Sequence, residues 1–150
     1  MSFANKKIRF TIGVIYCICF IYLLFFATFR QGTNTDVNLI PFHTAYQDIK
    51  LFFTGSPSLH YIAFTLGTIL GNFFLLLPIP ILFDLNWSGI KKWGLIILLP
   101  ILIEAIQYYF QVGSADMDDV ILNALGFATG FWLRKKVFTR FLPKPEQGAP

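Results

Sequence analysis

Four stretches of the chain are almost free of charge, and they frame everything else. Ile8–Phe29 carries its single charge, Arg9, at its start, just behind Lys6 and Lys7. Leu59–Phe83 carries none, Trp93–Gln111 is interrupted only by Glu104, and Met117–Leu133 opens within the cluster of Asp116, Asp118 and Asp119 and stops at Arg134-Lys135-Lys136. A bilayer core about 30 Å thick is crossed by roughly 20 helical residues, and each stretch approaches that length. The pattern predicts an all-α polytopic membrane protein with four transmembrane helices, spanning about 8–29, 59–83, 93–111 and 117–133 within a domain of residues 1–142. The first stretch reads as an uncleaved span, because Leu24-Phe25-Phe26-Ala27-Thr28-Phe29 offers no small-x-small cleavage site. Beyond it, Pro143, Pro145, Gly148 and Pro150 predict a disordered tail over 143–150.

The polar segments between the runs are unequal. The longest, Arg30–Ser58, includes Asn34, Asn38 and Pro41, and in it Tyr46, Ile49 and Phe53 fall at i, i+3 and i+7. That spacing predicts a short amphipathic helix lying in the membrane interface, an extracytoplasmic interfacial loop between helices 1 and 2. Asp84–Lys92 reads as a short turn. No internal repeat is visible.

Composition sharpens the class. Hydrophobic residues make up 55% of the 150 and charged ones only 13%, about half the share of a soluble domain. The net charge of +4 could point to nucleic acid, but the 18 phenylalanines sit mostly inside the apolar runs rather than among basic residues, which excludes that partner. The basic residues instead orient the chain. With the N-terminus inside, ten Lys and Arg fall on the cytoplasmic side and two, Arg30 and Lys50, outside. Both termini are therefore expected in the cytoplasm. Cys17 and Cys19, two apart on a helix, point to different sides, which fits neither a disulfide nor a metal site. His43 and His60 are isolated and read as interface residues.

The informative residues are polar ones inside the runs. Glu104, Gln107, Tyr108 and Gln111 follow at i, i+3, i+4 and i+7, a polar stripe on the outer half of helix 3. Asp116, Asp119 and Asn123 follow at i, i+3 and i+7 at the outer end of helix 4. Glu104 and Asn123 are each expected about 10 Å below the outer surface, from the helical rise. Asn72 lies nearer mid-membrane in helix 2. Each has a structural reading: Asp116 as a helix cap, Asp118 and Asp119 as partners of the helix dipole, Gln107 and Asn123 as glue between helices. An intramembrane carboxyl is a functional candidate by default, so Glu104 stands apart, with Arg30 as a candidate partner. Gly67 with Gly71 and Gly126 with Gly130, each pair four apart, are candidate helix-packing surfaces. Pro78, Pro80 and Pro100 should bend their helices, and Pro100 frees the carbonyl of Ile96. No HExxH, phosphate loop or Cys/His metal spacing occurs, so no metal and no cofactor is expected.

Glu104-Ala105-Ile106-Gln107 followed by Asp116-Met117-Asp118-Asp119-Val120-Ile121-Leu122-Asn123-Ala124-Leu125-Gly126 resembles the E-x-x-Q…D-x-D-D-x-x-x-N-x-x-G signature of the VanZ family of small bacterial membrane proteins. Asn38-Leu39-Ile40-Pro41-Phe42 is similar to that family's N-L-x-P-F, and Gly71-Asn72 followed by Pro78 extends the likeness across residues 38–130. Two departures stand out. Val112-Gly113-Ser114-Ala115 lacks the arginine usual before the aspartates, and Pro78-Ile79-Pro80 replaces a Pro-x-Gly. If that arginine helps hold an anionic ligand, the role is lost or changed here. The resemblance implies a bacterial cytoplasmic membrane and a link to cell-envelope stress and low-level teicoplanin tolerance. It makes Asn38, Asn72, Glu104, Gln107, Asp116, Asp119 and Asn123 the candidate site, and it supplies no reaction.

Three functions compete. The favoured one is a binding or modulating protein that holds a lipid headgroup, a cell-wall precursor or a membrane protein partner in a polar pocket. The second is an enzyme acting on an envelope lipid, with Glu104 as acid or base and Asp116 and Asp119 orienting substrate or a divalent cation. Product formation from lipid-linked substrates separates it from the first. The third is a small transporter using Glu104. Four spans without an inverted repeat speak against it, and liposome flux would test it.

Overall fold

The computed structural model describes residues 3–26 and 37–141. Arg30, Asn34, the end of the first apolar run and the proline-rich tail lie outside the described residues. Six helices and one two-residue strand pair account for the rest: α1 Phe3–Phe26, β1 Val37–Asn38, α2 His43–Thr54, α3 Leu59–Leu76, α4 Ile79–Leu82, α5 Gly89–Tyr109, β2 Ala115–Asp116 and α6 Met117–Phe141. The fold is all-α, as the apolar periodicity predicts.

Local chemistry sets the boundaries. Ser58 caps α3, its hydroxyl oxygen accepting from the Tyr61 N–H at 3.2 Å. Pro78 and Pro80 lack an N–H, so the carbonyls four residues earlier, of Phe74 and Leu76, lose their helical partners and the second apolar run breaks at Leu77-Pro78. A hydroxyl from α1 reaches the backbone beside this break. The Tyr16 hydroxyl donates to Leu75 O at 2.5 Å and approaches Phe74 O at 3.4 Å. The C-terminus of α5 closes with Val112 N–H donating to Gln107 O and Gln111 N–H to Tyr108 O, both at 3.0 Å. Gln111 there takes φ 55°, the left-handed position that glycine usually fills.

The four long helices alternate in direction. Phe10 packs edge-on against Phe83 while Tyr16 meets Leu75, so α1 runs antiparallel to α3 and α4. Gly126 meets Phe73 and Gly130 meets Leu77, so α3 and α6 run parallel. α6 is central, with α3, α4 and α5 packed around it and α1 laid against α4. The core is Leu76, Ile96, Ile103, Phe127 and Phe131.

The two glycine pairs behave differently. A Cβ on Gly126 would sit 1.8 Å from Phe73 O, and one on Gly130 would sit 2.1 Å from Leu77 O. Backbone meets backbone there, with each carbonyl on the side of the glycine Cα–H. Gly67 and Gly71 instead face open space, with nothing within 4 Å of either Cβ position. Among the described residues nothing packs on the expected surface of Gly67 and Gly71, because α3 turns Thr65, Asn72 and Leu76 inward instead.

Burial is inverted relative to a water-soluble bundle. Among the described residues, Thr65, Asn72, Glu104, Gln107, Asp118 and Asn123 are buried, six polar positions beside the five of the apolar core. Large apolar side chains such as Ile18, Leu70, Phe74, Leu98 and Leu102 lie about half exposed on the outside. Among the described residues one helical stretch, Leu59–Leu82, is by length and composition apolar enough to cross a membrane, with mean hydropathy 2.0 over its best window.

At one end of the bundle, where α1 begins and α4 ends, Asp84 joins three segments. Its carboxylate accepts from Arg9 Nη2 at 3.1 Å and from Arg134 Nε and Nη2 at 3.0 and 2.5 Å. Arg134 Nη1 also reaches Asn86 Oδ1 at 2.9 Å. The other end carries the candidate site.

Candidate functional site

The candidate residues fall into a roof and a buried layer. The roof forms because the loop before α2 pairs with the turn before α6. Val37 pairs with Ala115 and Asn38 with Asp116 in a short parallel bridge. Asn38 Nδ2 then donates to Thr44 Oγ1 at 3.0 Å and to Asp116 Oδ1 at 3.4 Å, and Thr44 Oγ1 donates to Asp116 Oδ2 at 2.6 Å. Asp116 also accepts from its own segment, the Asp118 N–H, at 2.8 Å. Asp116 thus joins the loop to α6 in addition to capping the helix.

Asp118 completes the roof. The first residue before α2, Phe42, takes φ 63° and offers no side-chain cap. The orphan N–H groups of this helix start find their acceptor on another helix. Asp118 accepts from the Phe42 N–H and, at 3.0 Å, from the Ala45 N–H. A buried carboxylate with two backbone donors is well satisfied. Farther along, Asp48 accepts from the Tyr61 hydroxyl, holding the middle of α2 to the start of α3. Tyr46, Ile49 and Phe53 face away, 64%, 57% and 87% exposed, so the amphipathic helix read from the sequence is present and its apolar face is uncovered among the described residues.

Beneath the roof, Asn72 from α3, Glu104 and Gln107 from α5, and Asn123 from α6 are 0%, 4%, 2% and 0% exposed. Asn72 precedes Phe73, whose carbonyl meets Gly126, so Asn72 and Asn123 lie within about one turn of each other along the parallel α3–α6 pair. Glu104 is five residues from the end of α5 and Asn123 six from the start of α6. On this helical hairpin both therefore lie about 8–9 Å from its tip. Gln107 Nε2 and both amide atoms of Asn123 have no hydrogen-bond partner among the described residues. Buried polar atoms are nearly always paired, and an open donor or acceptor costs about 1–3 kcal/mol. The described residues leave these three amide atoms of Gln107 and Asn123 open.

The expected stripe on α5 is narrower than its spacing implied. Glu104 and Gln107 are buried, but Tyr108 and Gln111 are exposed, because the buried face follows Ile96, Pro100, Ile103, Glu104 and Gln107. Asp119 is half-buried next to Asp118. Two roof residues escaped the sequence reading. Thr44 has no motif to announce it. Asp118 reads in the sequence as a partner of the helix dipole, and only the fold brings the N–H groups of Phe42 and Ala45 to it. No three His, Cys, Asp or Glu side chains gather as a metal-binding group among the described residues.

Fold and site together define a helical protein with polar residues buried inside an apolar bundle and a short amphipathic helix latched over one end. The chain belongs to the VanZ/LLP1 family, whose model matches residues 12–139. Protein VanZ of Enterococcus faecium is 28% identical over 106 residues, a match covering 66% of this chain and 66% of that protein. The chain thus spans just under two thirds of that relative's length. No solved structure matches.

Proposed function

We propose that this chain is a four-span protein of the bacterial cytoplasmic membrane, with both termini cytoplasmic, that binds an outer-leaflet lipid or cell-wall component between α3, α5 and α6. In this reading its occupancy contributes to low-level tolerance of the glycopeptide teicoplanin. The observation that carries it is the layer of Glu104, Gln107 and Asn123, sealed from solvent with amide atoms left open. A fold needing only stability would fill that space with apolar side chains at less cost. The inverted burial pattern, the alternating helix directions and the gathering of Arg9 and Arg134 at the end away from the site support the membrane arrangement.

The test is the teicoplanin inhibitory concentration of a susceptible Gram-positive host carrying vector, wild type or Glu104→Gln, at matched membrane levels. Wild type is expected to raise it and the variant to return it to the vector value. Equal values for vector and wild type at good expression would remove the tolerance role. Wild-type behaviour of the variant would remove Glu104 from the site.

A further inference from the structure

The end of the bundle away from the roof gathers the basic charge. Among the described residues Lys7 and Arg9 of α1, Lys91 and Lys92 of α5 and the Arg134-Lys135-Lys136 run of α6 stand there with one acid, Asp84, which Arg9 and Arg134 share. The sequence after α6 adds one base and one acid, Lys144 and Glu146, and leaves the excess unchanged. Tryptophans mark the same level. Trp93 lies 16 residues before the end of α5 and Trp132 15 after the start of α6, so both are about 23 Å from the tip of that hairpin. Both are more than half exposed, and each ring has an ammonium over it, Lys92 at 4.7 Å and Lys136 at 3.9 Å. Exposed tryptophan beside lysine suits a membrane–water interface. At this end α1 carries a recess. Lys7, Ile8, Thr11 and Ile12 line a volume of about 380 Å³ on the face opposite Phe10 and Gly13, which meet Phe83. A face turned away from the bundle is the one a spanning helix gives to lipid. α1 runs from the basic end toward the roof, so the recess passes from Lys7 to Ile12 about 7–8 Å farther into the apolar zone. The Thr11 hydroxyl donates to Lys7 O at 3.0 Å, which leaves the Lys7 ammonium as the charged donor of the recess.

We infer that this recess seats an anionic phospholipid of the inner leaflet, its phosphate at the Lys7 ammonium and one acyl chain along Ile8 and Ile12. Charge complementarity selects the headgroup. An anionic lipid gains from the whole basic end, whereas a zwitterionic one brings its own cation toward it. The apolar floor selects a lipid over a free phosphate, which would gain the charge but leave Ile8 and Ile12 uncovered. The inference rests on the four-span reading and is independent of the outer-leaflet ligand.

The experiment uses the full chain, purified in detergent, with phosphatidylglycerol or phosphatidylcholine of identical acyl chains, and counts bound lipid by native mass spectrometry. Wild type is expected to hold phosphatidylglycerol at least about fivefold more tightly, the factor that one lysine near an anionic headgroup contributes. Lys7→Gln should weaken phosphatidylglycerol about fivefold and leave phosphatidylcholine unchanged, while Lys50→Gln, at the roof end, should alter neither. Thr11→Trp, which fills the recess without touching the charge, should weaken phosphatidylglycerol at least as much as Lys7→Gln. Equal binding of the two lipids by wild type, or an unchanged preference in Lys7→Gln, would overturn the inference. So would full binding by Thr11→Trp, since the charge would then act without the recess, and so would displacement of the lipid by millimolar glycerol phosphate, which has no acyl chain. A wild type that stays soluble without detergent would instead overturn the four-span reading itself.

Discussion

Replacing Gly126 by alanine probes the closest contact in the bundle, and Gly67→Ala supplies its control. At Gly126 the new Cβ would lie 1.8 Å from Phe73 O, 2.8 Å from Phe73 C and 3.3 Å from its Cα. Ordinary contact begins near 3.4 Å, so α3 and α6 must part by roughly 1.5 Å. No rotamer relieves a clash with backbone. Overpacking of this kind costs about 1–3 kcal/mol, and a backbone obstacle puts it at the upper end, about 3 kcal/mol. Gly67 has nothing within 4 Å of its Cβ position, so there the same change brings only the helix preference of alanine, about 0.5–1 kcal/mol of added stability. For a chain of this size 1 kcal/mol moves the Tm by about 2–4 °C, so Gly126→Ala should lower it by about 6–12 °C while Gly67→Ala leaves it level or slightly raised. Thermal unfolding of the purified variants in one detergent, followed by tryptophan fluorescence and by loss of the monodisperse peak, reads both. Equal shifts at the two sites, or no shift at Gly126, would refute the claim that α6 meets the α3 backbone through Gly126.

Three further outcomes follow from named contacts. Asp118→Ala removes the acceptor of two backbone N–H groups, charge-assisted bonds of about 1.5–3 kcal/mol each, so amide exchange over residues 42–46 should rise sharply while that of α6 beyond Asn123 stays slow. Tyr16→Phe removes the hydroxyl that donates to Leu75 O and approaches Phe74 O, and should lower stability by about 1 kcal/mol, a Tm shift of a few degrees with the fold intact by circular dichroism. Asp84→Asn leaves Arg9 and Arg134 facing each other across a neutral amide and should cost about 2 kcal/mol in thermal unfolding, with partial recovery in Asp84→Glu.

Much of the architecture was legible in the chain because long apolar runs and helix breakers act locally. The runs overlap the four long helices, the Tyr46, Ile49, Phe53 spacing falls in α2, and Pro78 and Pro80, expected to bend the second run, break it into α3 and α4. Glu104, Gln107, Asn72 and Asn123 stood out for the same reason, as polar residues where an apolar neighbour is the cheaper choice.

What the tertiary structure alone decided is which of these residues meet. Two glycine pairs look alike in sequence, yet only Gly126 and Gly130 face another backbone, since helix rotation is set by packing across the whole interface. Asp116 and Asp118 carry the roof because a two-residue bridge between segments 78 positions apart brings Asn38 to Asp116, a closure with no local signal. Asp84 binds arginines 75 and 50 residues away. Hydrophobic periodicity is a property of one helix at a time. Hydrogen bonds and backbone contacts between helices depend on register and rotation, which are fixed only when the helices pack.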